Sequence, residues 1–438
     1  MKQYDVIVVG GGPAGIPAAI AASRGGQKVL IVEASNALGG AINTMQVMPF
    51  MEYTTPTRGH KNPVFLVRGI FEEICIRHNE LVRELEGEGR PYDKLPLFDF
   101  SDEYMKIILP RMVREAGVDV LYHAKLIGAT AEDNKVTSIT VAAKSQILTL
   151  TAKVFIDCTG DAELAYQAGF PTRLGRPVDS LCQPMTLCFR VGDIDVSRFL
   201  QKENFKLTQQ LYKEAQARGE ITNPRENILI FHTLSPSVIH FNTTRVVKHN
   251  PVDPFEISHA EEVVREQVYE MFRFLRKYSP GCERATLLSS AAHIGVRESR
   301  MIDGEYVLTK DDLLANRKFE DGIAACNYDI DIHNPEGSGT SHYYFPDWEY
   351  YTIPYRCLVP KNSNNLLVAG RCISSDHDAQ ASYRVMPFAA ALGHAAGVAA
   401  AVAIENGTTV KDADITQIQE TLRAQNAFIE SSIEIPQE

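Results

Sequence analysis

Of the eight cysteines in this 438-residue chain, none forms a Cys-x-x-Cys pair, and the nearest two, Cys182 and Cys188, lack metal-ligand spacing. That leaves no legible zinc or dithiol motif, and buried, reduced thiols of a cytoplasmic protein are the expectation. Positive charge is also short: 44 Lys and Arg against 55 Asp and Glu give a formal net charge of -11. Nucleic-acid binding, which needs a basic surface to displace counterions, is disfavoured. No basic leader or cleavage site precedes the apolar run at 4–11, so no signal peptide is expected. A second apolar run, residues 388–404, has a length near the lower limit of about 17 for a membrane span. It is mostly Ala and Gly and carries His394, which suits a helix packed tightly in a soluble protein, so no membrane span is expected. No internal repeat or low-complexity segment is visible.

What is present begins almost at once. Residues 4–9, Tyr-Asp-Val-Ile-Val-Val, read as a central parallel strand buried on both faces. They run into Gly10-Gly11-Gly12-Pro13-Ala14-Gly15, with Gly-x-Gly-x-x-Gly spacing at 10, 12 and 15, then an Ala-rich helix. A second strand, 28–32, ends at Glu33. Gly10 permits the tight turn, Gly12 lets backbone approach a pyrophosphate, and Gly15 lets helix pack on strand. The helix start offers unpaired N–H groups to phosphates, and Glu33 can accept both ribose hydroxyls of an adenosine. Strand, glycines, helix, strand and acid in this order are the context that makes the motif specific for a dinucleotide.

Beyond Glu33, Ala34-Ser35-Asn36-Ala37-Leu38-Gly39-Gly40-Ala41 resembles the glutathione-reductase-like superfamily of FAD proteins, where an acid, a short loop and a Gly-Gly pair continue around the cofactor. Later segments resemble the branch described as FAD-dependent oxidoreductases, near fumarate-reductase-like enzymes. The strand at 153–157 ends in Thr159-Gly160-Asp161 after an alternating β-meander, and 118–126 resembles the strand whose Lys125 and Leu126 pass the adenine. Near the C-terminus, 364–369 leads to Gly370-Arg371, where relatives often carry Gly-Asp; the resemblance implies that Arg371 reaches the pyrophosphate, its planar fork matching phosphate. Val385 and Met386 then open a helix, with Pro387 in its first turn, whose start faces the flavin. The resemblance covers most of the chain and implies FAD. Flavin disulfide reductases carry a Cys pair after the first Gly-Gly and a second nucleotide domain; this chain has neither, so a thiol–disulfide mechanism is out.

The expected fold is α/β: a Rossmann-type FAD-binding domain with β-meander, plus an inserted α+β substrate domain. The FAD domain is read as three pieces, 1–45, 100–165 and 355–405, interrupted by an insertion at 46–99 and a substrate or cap domain at 166–354, with a tail at 406–438. In the first insertion a helix is expected over 64–85. In the second, Ser258-His259-Ala260-Glu261 has capping-box spacing ahead of apolar Val264, Val268, Met271, Phe272 and Leu275.

A flavin carries hydride chemistry, so the protein must supply a substrate site and an acid or base. His377, flanked by Asp376 and Asp378, reads either as that group or as part of a hydrogen-bonded loop covering the flavin. Arg297, Arg300 and Arg384 read either as holders of a carboxylate or enolate-like substrate or as partners of Glu298 or Asp321. Asp329, Asp331 and His333 alternate and share a strand face, although no metal is expected; His342, Tyr343 and Tyr344 follow a Gly-Ser-Gly loop that suits a lid. His60 is a candidate flavin tether. The leading expectation is hydride transfer between flavin N5 and a small organic substrate. The alternatives are a monooxygenase using NAD(P)H and oxygen, and a non-catalytic flavin-binding redox subunit. A partner protein that gives or takes electrons fits each, and oligomeric state is left open.

Overall fold

Two four-residue apolar runs, Val6–Val9 (β1) and Val29–Val32 (β2), are buried along their whole length, as a strand covered on both faces must be. In the computed structural model, which describes residues 3–56, 62–89 and 94–433, they join Asp119–Leu121 (β3), Val154–Asp157 (β4) and Leu366–Val368 (β5) in one sheet of order β5-β4-β1-β2-β3. Every pairing in it is parallel, with Val6 opposite both Val29 and Val154. The chain leaves β1 to one side and returns on the other, so the crevice beyond the carboxyl end of β1 is the switch point where such sheets bind ligands.

Helix α1 (Gly15–Arg24) leaves that crevice and is buried from Gly15 to Ala22. The Ala-rich segment forms the 21-residue helix Met386–Asn406. By length and composition it can cross a membrane, yet nearly all of its side chains from Met386 to Ala403 are buried in this fold. Its glycines bring it onto α1. A Cβ on Gly393 would lie 1.9 Å from the Ala14 carbonyl oxygen, and one on Gly397 2.1 Å from that of Ala18.

The stretch expected as one strand at 118–126 breaks at His123, which takes a left-handed φ of 53°. The first half, β3, extends the parallel sheet, and Ala124–Glu132 starts a three-stranded antiparallel meander with Lys135–Ala143 and Gln146–Leu150. The helix expected over 64–85 is Ile70–Glu86; Val64–Phe65 pairs instead with Thr54–Thr55. Gly69 sets the boundary, because it has φ 62° and its backbone lies against the His394 ring. Phe50, Tyr53, Phe71 and Phe100 cluster in the same core as α1.

The segment expected as a cap, 166–354, holds a four-stranded antiparallel sheet, ordered Ile230–His232, Ile239–Phe241, Phe189–Gly192 and Thr286–Ser290, with its own apolar core and two long helices, Lys202–Ala217 and Pro254–Tyr278. The second helix begins four residues before the expected capping box. Asp253 caps it, accepting from the N–H groups of Phe255 and Glu256 at 2.9 Å, and Pro254 occupies the first turn. Ser258 lies inside the helix and donates to the Pro254 carbonyl. An Asp-Pro pair satisfies the helix start better than an interior serine can. All eight cysteines are free and buried.

Because the two helix backbones touch at Gly393, Gly393→Ala is expected to destabilise the protein by about 1–3 kcal/mol through overpacking. Urea unfolding checks this; an unchanged midpoint would contradict the close-approach argument.

Candidate active site

The turn from β1 into α1 is built on backbone contacts that exclude side chains. A Cβ on Gly15 would lie 1.8 Å from the Gly10 carbonyl oxygen. Gly10 itself has φ 100°, and its added Cβ would lie 2.4 Å from the Cys158 carbonyl oxygen at the end of β4. Gly40 faces Gly12 so closely that its Cβ would be 3.1 Å from the Gly12 Cα. The second glycine segment therefore lines the first, and the amide of Gly39 donates to the Gly11 carbonyl at 2.8 Å. In the first turn of α1 the Ile16 amide bonds the Gly12 carbonyl and Pro17 carries no N–H, so what the cradle offers a phosphate is the loop backbone and the positive end of the helix dipole.

Glu33 is buried, with one carboxylate oxygen 2.7 Å from the Gly11 amide and the other 2.7 Å from the Ser35 amide. These bonds fix its orientation and leave further lone pairs for hydroxyl donors. The Glu33 carbonyl accepts from Ala124, which brings the strand bearing Lys125 and Leu126 beside it; Leu126 is buried and Lys125 exposed. Ala34 is exposed on the turn after Glu33 and Ala41 is half-buried.

At the far side of β1, buried Asp157 accepts from the amide and hydroxyl of Thr159. Asp161 accepts from Ser299 at 2.6 Å and from Arg371 at 2.8 Å. Arg371 also donates to Ser299 at 2.7 Å and lies over the backbone of Gly160. Two expected cofactor residues thus hold each other. Gly370 abuts Ala14, its added Cβ 3.2 Å from the Ala14 Cβ. Val385 and Met386 are buried at the start of the Ala-rich helix. Since Gly393 lies over Ala14, that helix projects about 10 Å past the start of α1 at 1.5 Å per residue. A backbone cradle without side-chain obstruction, an oriented acid and a second helix start further along fit an extended dinucleotide such as FAD. His60 lies outside the described residues.

The candidate acid–base group is organised differently from expectation. His377 is in the first turn of the helix His377–Tyr383, not in a loop. Neither flanking aspartate holds it: Asp376 caps the helix through the Ala379 amide, and Asp378 pairs with Lys310. Its partner is Glu298, fully buried, whose Oε1 is 2.7 Å from His377 Nδ1 and whose Oε2 accepts from the Gln183 amide at 2.8 Å. Burial pulls the His377 pKa down, but the Glu298 carboxylate outweighs it, and the net shift is upward from 6.5.

One turn along, Gln380 donates to the Arg297 carbonyl and accepts from Gln183. Arg297 is half-buried, and its guanidinium meets neutral partners: the Pro184 carbonyl, the Thr186 hydroxyl and, at 3.4 Å, Asn242 Oδ1. Arg384 pairs with Asp331 at 3.1 Å rather than Glu298 or Asp321. Arg300 pairs with Glu163 and stacks on Tyr166, so it braces the fold.

Asp331 and His333 do share a strand face, their Oδ2 and Nε2 3.4 Å apart, but the histidine that closes on both aspartates is His342. The Gly-Ser-Gly segment is a hairpin turn and sets Asp331 opposite His342, so His342 and Tyr343 lie on a strand rather than a lid. Three potential metal ligands, Asp329, Asp331 and His342, lie within 4.8 Å. Yet Asp329 is engaged by His342 at 2.5 Å and Asp331 by Arg384, so these ligand atoms already have partners. Burial would raise the Asp331 pKa, but His333, Arg384 and His342 hold it well below the usual carboxylate range. Burial, then nearby Arg297, pushes His333 down to about 3, so it is neutral.

The sequence profile of the family described as FAD dependent oxidoreductase matches residues 5–422. Among curated proteins, the digeranylgeranylglycerophospholipid reductases of Thermoplasma volcanium and Thermoplasma acidophilum are 25% and 26% identical over 213 residues, 45% of this chain and 48% of each relative. The chain thus spans about half the length of the curated relatives it matches. Among solved structures, a geranylgeranyl bacteriochlorophyll reductase-like protein from Thermoplasma acidophilum has a TM-score of 0.44 at 15% identity, covering 97% of this chain and 83% of that one. A triple mutant of a flavin-dependent brominase has a TM-score of 0.49 at 13% identity, covering 98% and 87%.

Two outcomes are expected from this geometry. Glu33→Ala should weaken FAD binding by about 1.5–3 kcal/mol, a ten- to hundredfold rise in Kd by fluorescence titration of the apoprotein; an unaltered Kd would contradict the ribose assignment. The His377–Glu298 pair, with its raised folded-state pKa, contributes stability that is full below about pH 6.5 and lost as pH rises through the folded pKa. The difference in thermal midpoint between wild type and His377→Gln should shrink from pH 6 to pH 9; a difference independent of pH would refute it.

Proposed function

The chain belongs to the FAD dependent oxidoreductase family, and on that premise we propose that it transfers a hydride between flavin N5 and a small organic substrate bound beneath the cap. When bound, FAD supplies the two-electron hydride chemistry. The observation that carries this reading is the segment 297–299. Arg297 bonds the Pro184 carbonyl and the Thr186 hydroxyl, Glu298 holds His377, and Ser299 bonds Asp161 and Arg371 of the cofactor segments. One short stretch of backbone thus ties a substrate-facing cation and a titrating histidine to the flavin cradle.

Glu298 faces Nδ1 and favours the protonated imidazole, which leaves Nε2 to exchange a proton with substrate. Arg297 and Arg384 orient the substrate. Gln183 and Gln380 lock the intervening geometry, Gln183 Nε2 donating to Gln380 Oε1 at 3.1 Å. The eight buried free thiols fit a reducing compartment such as the cytoplasm.

Anaerobic mixing of the holoprotein with a panel of hydroxy acids, saturated acids and amines, with NADH and NADPH as comparators, reads bleaching of the flavin bands. Reduction by an organic donor without oxygen is expected, with a rate that falls about 10²–10⁴-fold in His377→Asn. Reduction by nicotinamides alone, followed by oxygen insertion into an added aromatic, would refute it and make the protein a monooxygenase.

A further inference from the structure

His377 is 7% exposed and Glu298 fully buried, so little of this pair meets solvent in the conformation seen here. The segment 175–183 runs past it. At its buried end the Gln183 amide donates to Glu298. Its outer part, with Pro177 to Ser180 exposed, is a ring closed on itself. The Arg176 amide donates to the Leu181 carbonyl at 3.0 Å, and the Ser180 amide to the Arg176 carbonyl at 2.8 Å. The Arg176 guanidinium grips Asp179 through two bonds, of 2.8 and 2.6 Å. The neck of the ring passes through Gly175, whose φ is 57° and where a Cβ would lie 2.5 Å from the carbonyl oxygens of Ser180 and Leu181. A neck so tight takes glycine alone.

The ring lies within electrostatic reach of the imidazole. After burial and Glu298, the charges acting on His377 include Arg176. Asp179, held down to about 2 chiefly by Arg176, is also lowered by His377. On its other side the ring meets Glu336, whose Oε2 is 3.1 Å from Arg176 Nη2. Glu336 sits in a hairpin turn that is fixed from beneath. Buried Arg245 donates to the Gly337 and Gly339 carbonyls at 3.2 Å, and Asn334 accepts from the Glu336 amide at 3.0 Å. Among the described residues, Arg176–Glu336 is the ion pair that joins the ring to the rest of the fold.

We propose that residues 175–181 are a strap over the His377–Glu298 pair, swinging about the Gly175 neck to admit substrate and latched shut by Arg176 and Glu336. The proposal rests on the reading of His377 as the group that exchanges a proton with substrate, and adds how that group is reached. One half of the latch is braced from the interior and the other is a self-closed body, so opening breaks the contact between them and leaves both intact. Glu336 is 59% exposed, and an exposed ion pair biases an equilibrium by no more than about fivefold. Apolar burial adds little, because Val178 at the tip of the strap is 81% exposed. The closed and open forms are therefore close in free energy, the condition for gating on the microsecond-to-millisecond scale.

The test is carbethoxylation of the holoprotein by diethyl pyrocarbonate, mapped by peptide mass, with exposed His259 as the internal reference. No electrons move, so the strap is read whether or not any hydride donor is found. Wild-type His377 should react at least about tenfold more slowly than His259. Glu336→Gln should speed His377 about two- to fivefold while His259 is unchanged. Raising salt from about 0.1 M to about 1 M, which shortens the screening length from about 10 Å to about 3 Å, should do the same. In the double variant Arg176→Cys, Glu336→Cys, His377 should react fast, and a short bis-maleimide joining the two thiols should slow it at least about tenfold. The native cysteines are all buried and do not compete for the linker. His377 reacting as fast as His259 in wild type, or as fast after cross-linking as before, would overturn the proposal. So would a lower Tm in Glu336→Gln with the His377 rate unchanged, which would make the ion pair a structural brace.

Discussion

The start of α1 lies where three backbones converge with no side chain between them. Gly15 presses on the Gly10 carbonyl, Gly393 on the Ala14 carbonyl, and Gly370 on Ala14 itself. Because protein interiors are packed as densely as crystals, a methyl group at any of these points moves a whole element rather than a rotamer. The position of the helix N-terminus relative to β1, β4 and the Ala-rich helix follows from these approaches. So do the shape of the glycine cradle and the reach of the second helix start.

On this frame two kinds of polar interior are built for different purposes. The cofactor side is satisfied: Asp157, Thr159, Asp161, Ser299 and Arg371 saturate one another, and Glu33 is oriented by two amides. The inserted segment is not: Arg225 and Arg297 form no ion pair among the described residues, and buried Arg225 Nη1 has no hydrogen-bond partner among them. The Glu298–His377 pair sits at the seam, one residue from each regime. Satisfied networks rigidify, and unsatisfied ones store electrostatic free energy that a complementary ligand can recover.

Much of the cofactor half was legible because its constraints are local. The spacing of Gly10, Gly12 and Gly15, the acid at 33 and the strand ends at 157 and 370 each express a backbone requirement within a few residues, and all appear where the pattern put them. His377 illustrates the other case. Its neighbours in sequence, Asp376 and Asp378, were natural partners, but one is consumed in capping a helix and the other by Lys310. Glu298, 79 positions away, holds it instead. His342 could have been anticipated, since a Gly-Ser-Gly hairpin turn places Asp331 opposite it. Arg225, in a loop with no periodicity, left no such trace.

The sequence by itself determined that this chain folds around a dinucleotide on a parallel sheet, because the turns, strand burial and close approaches involved are properties of neighbouring residues. Only the tertiary structure decided which charges would face one another: that Asp161 takes Arg371, Glu298 takes His377 and Asp331 takes Arg384, leaving Arg225 and Arg297 without an ion pair among the described residues. The physical reason is that an ion pair is fixed by distance in space and by what desolvates it. Both are set by how distant segments pack together, which no spacing along the chain records.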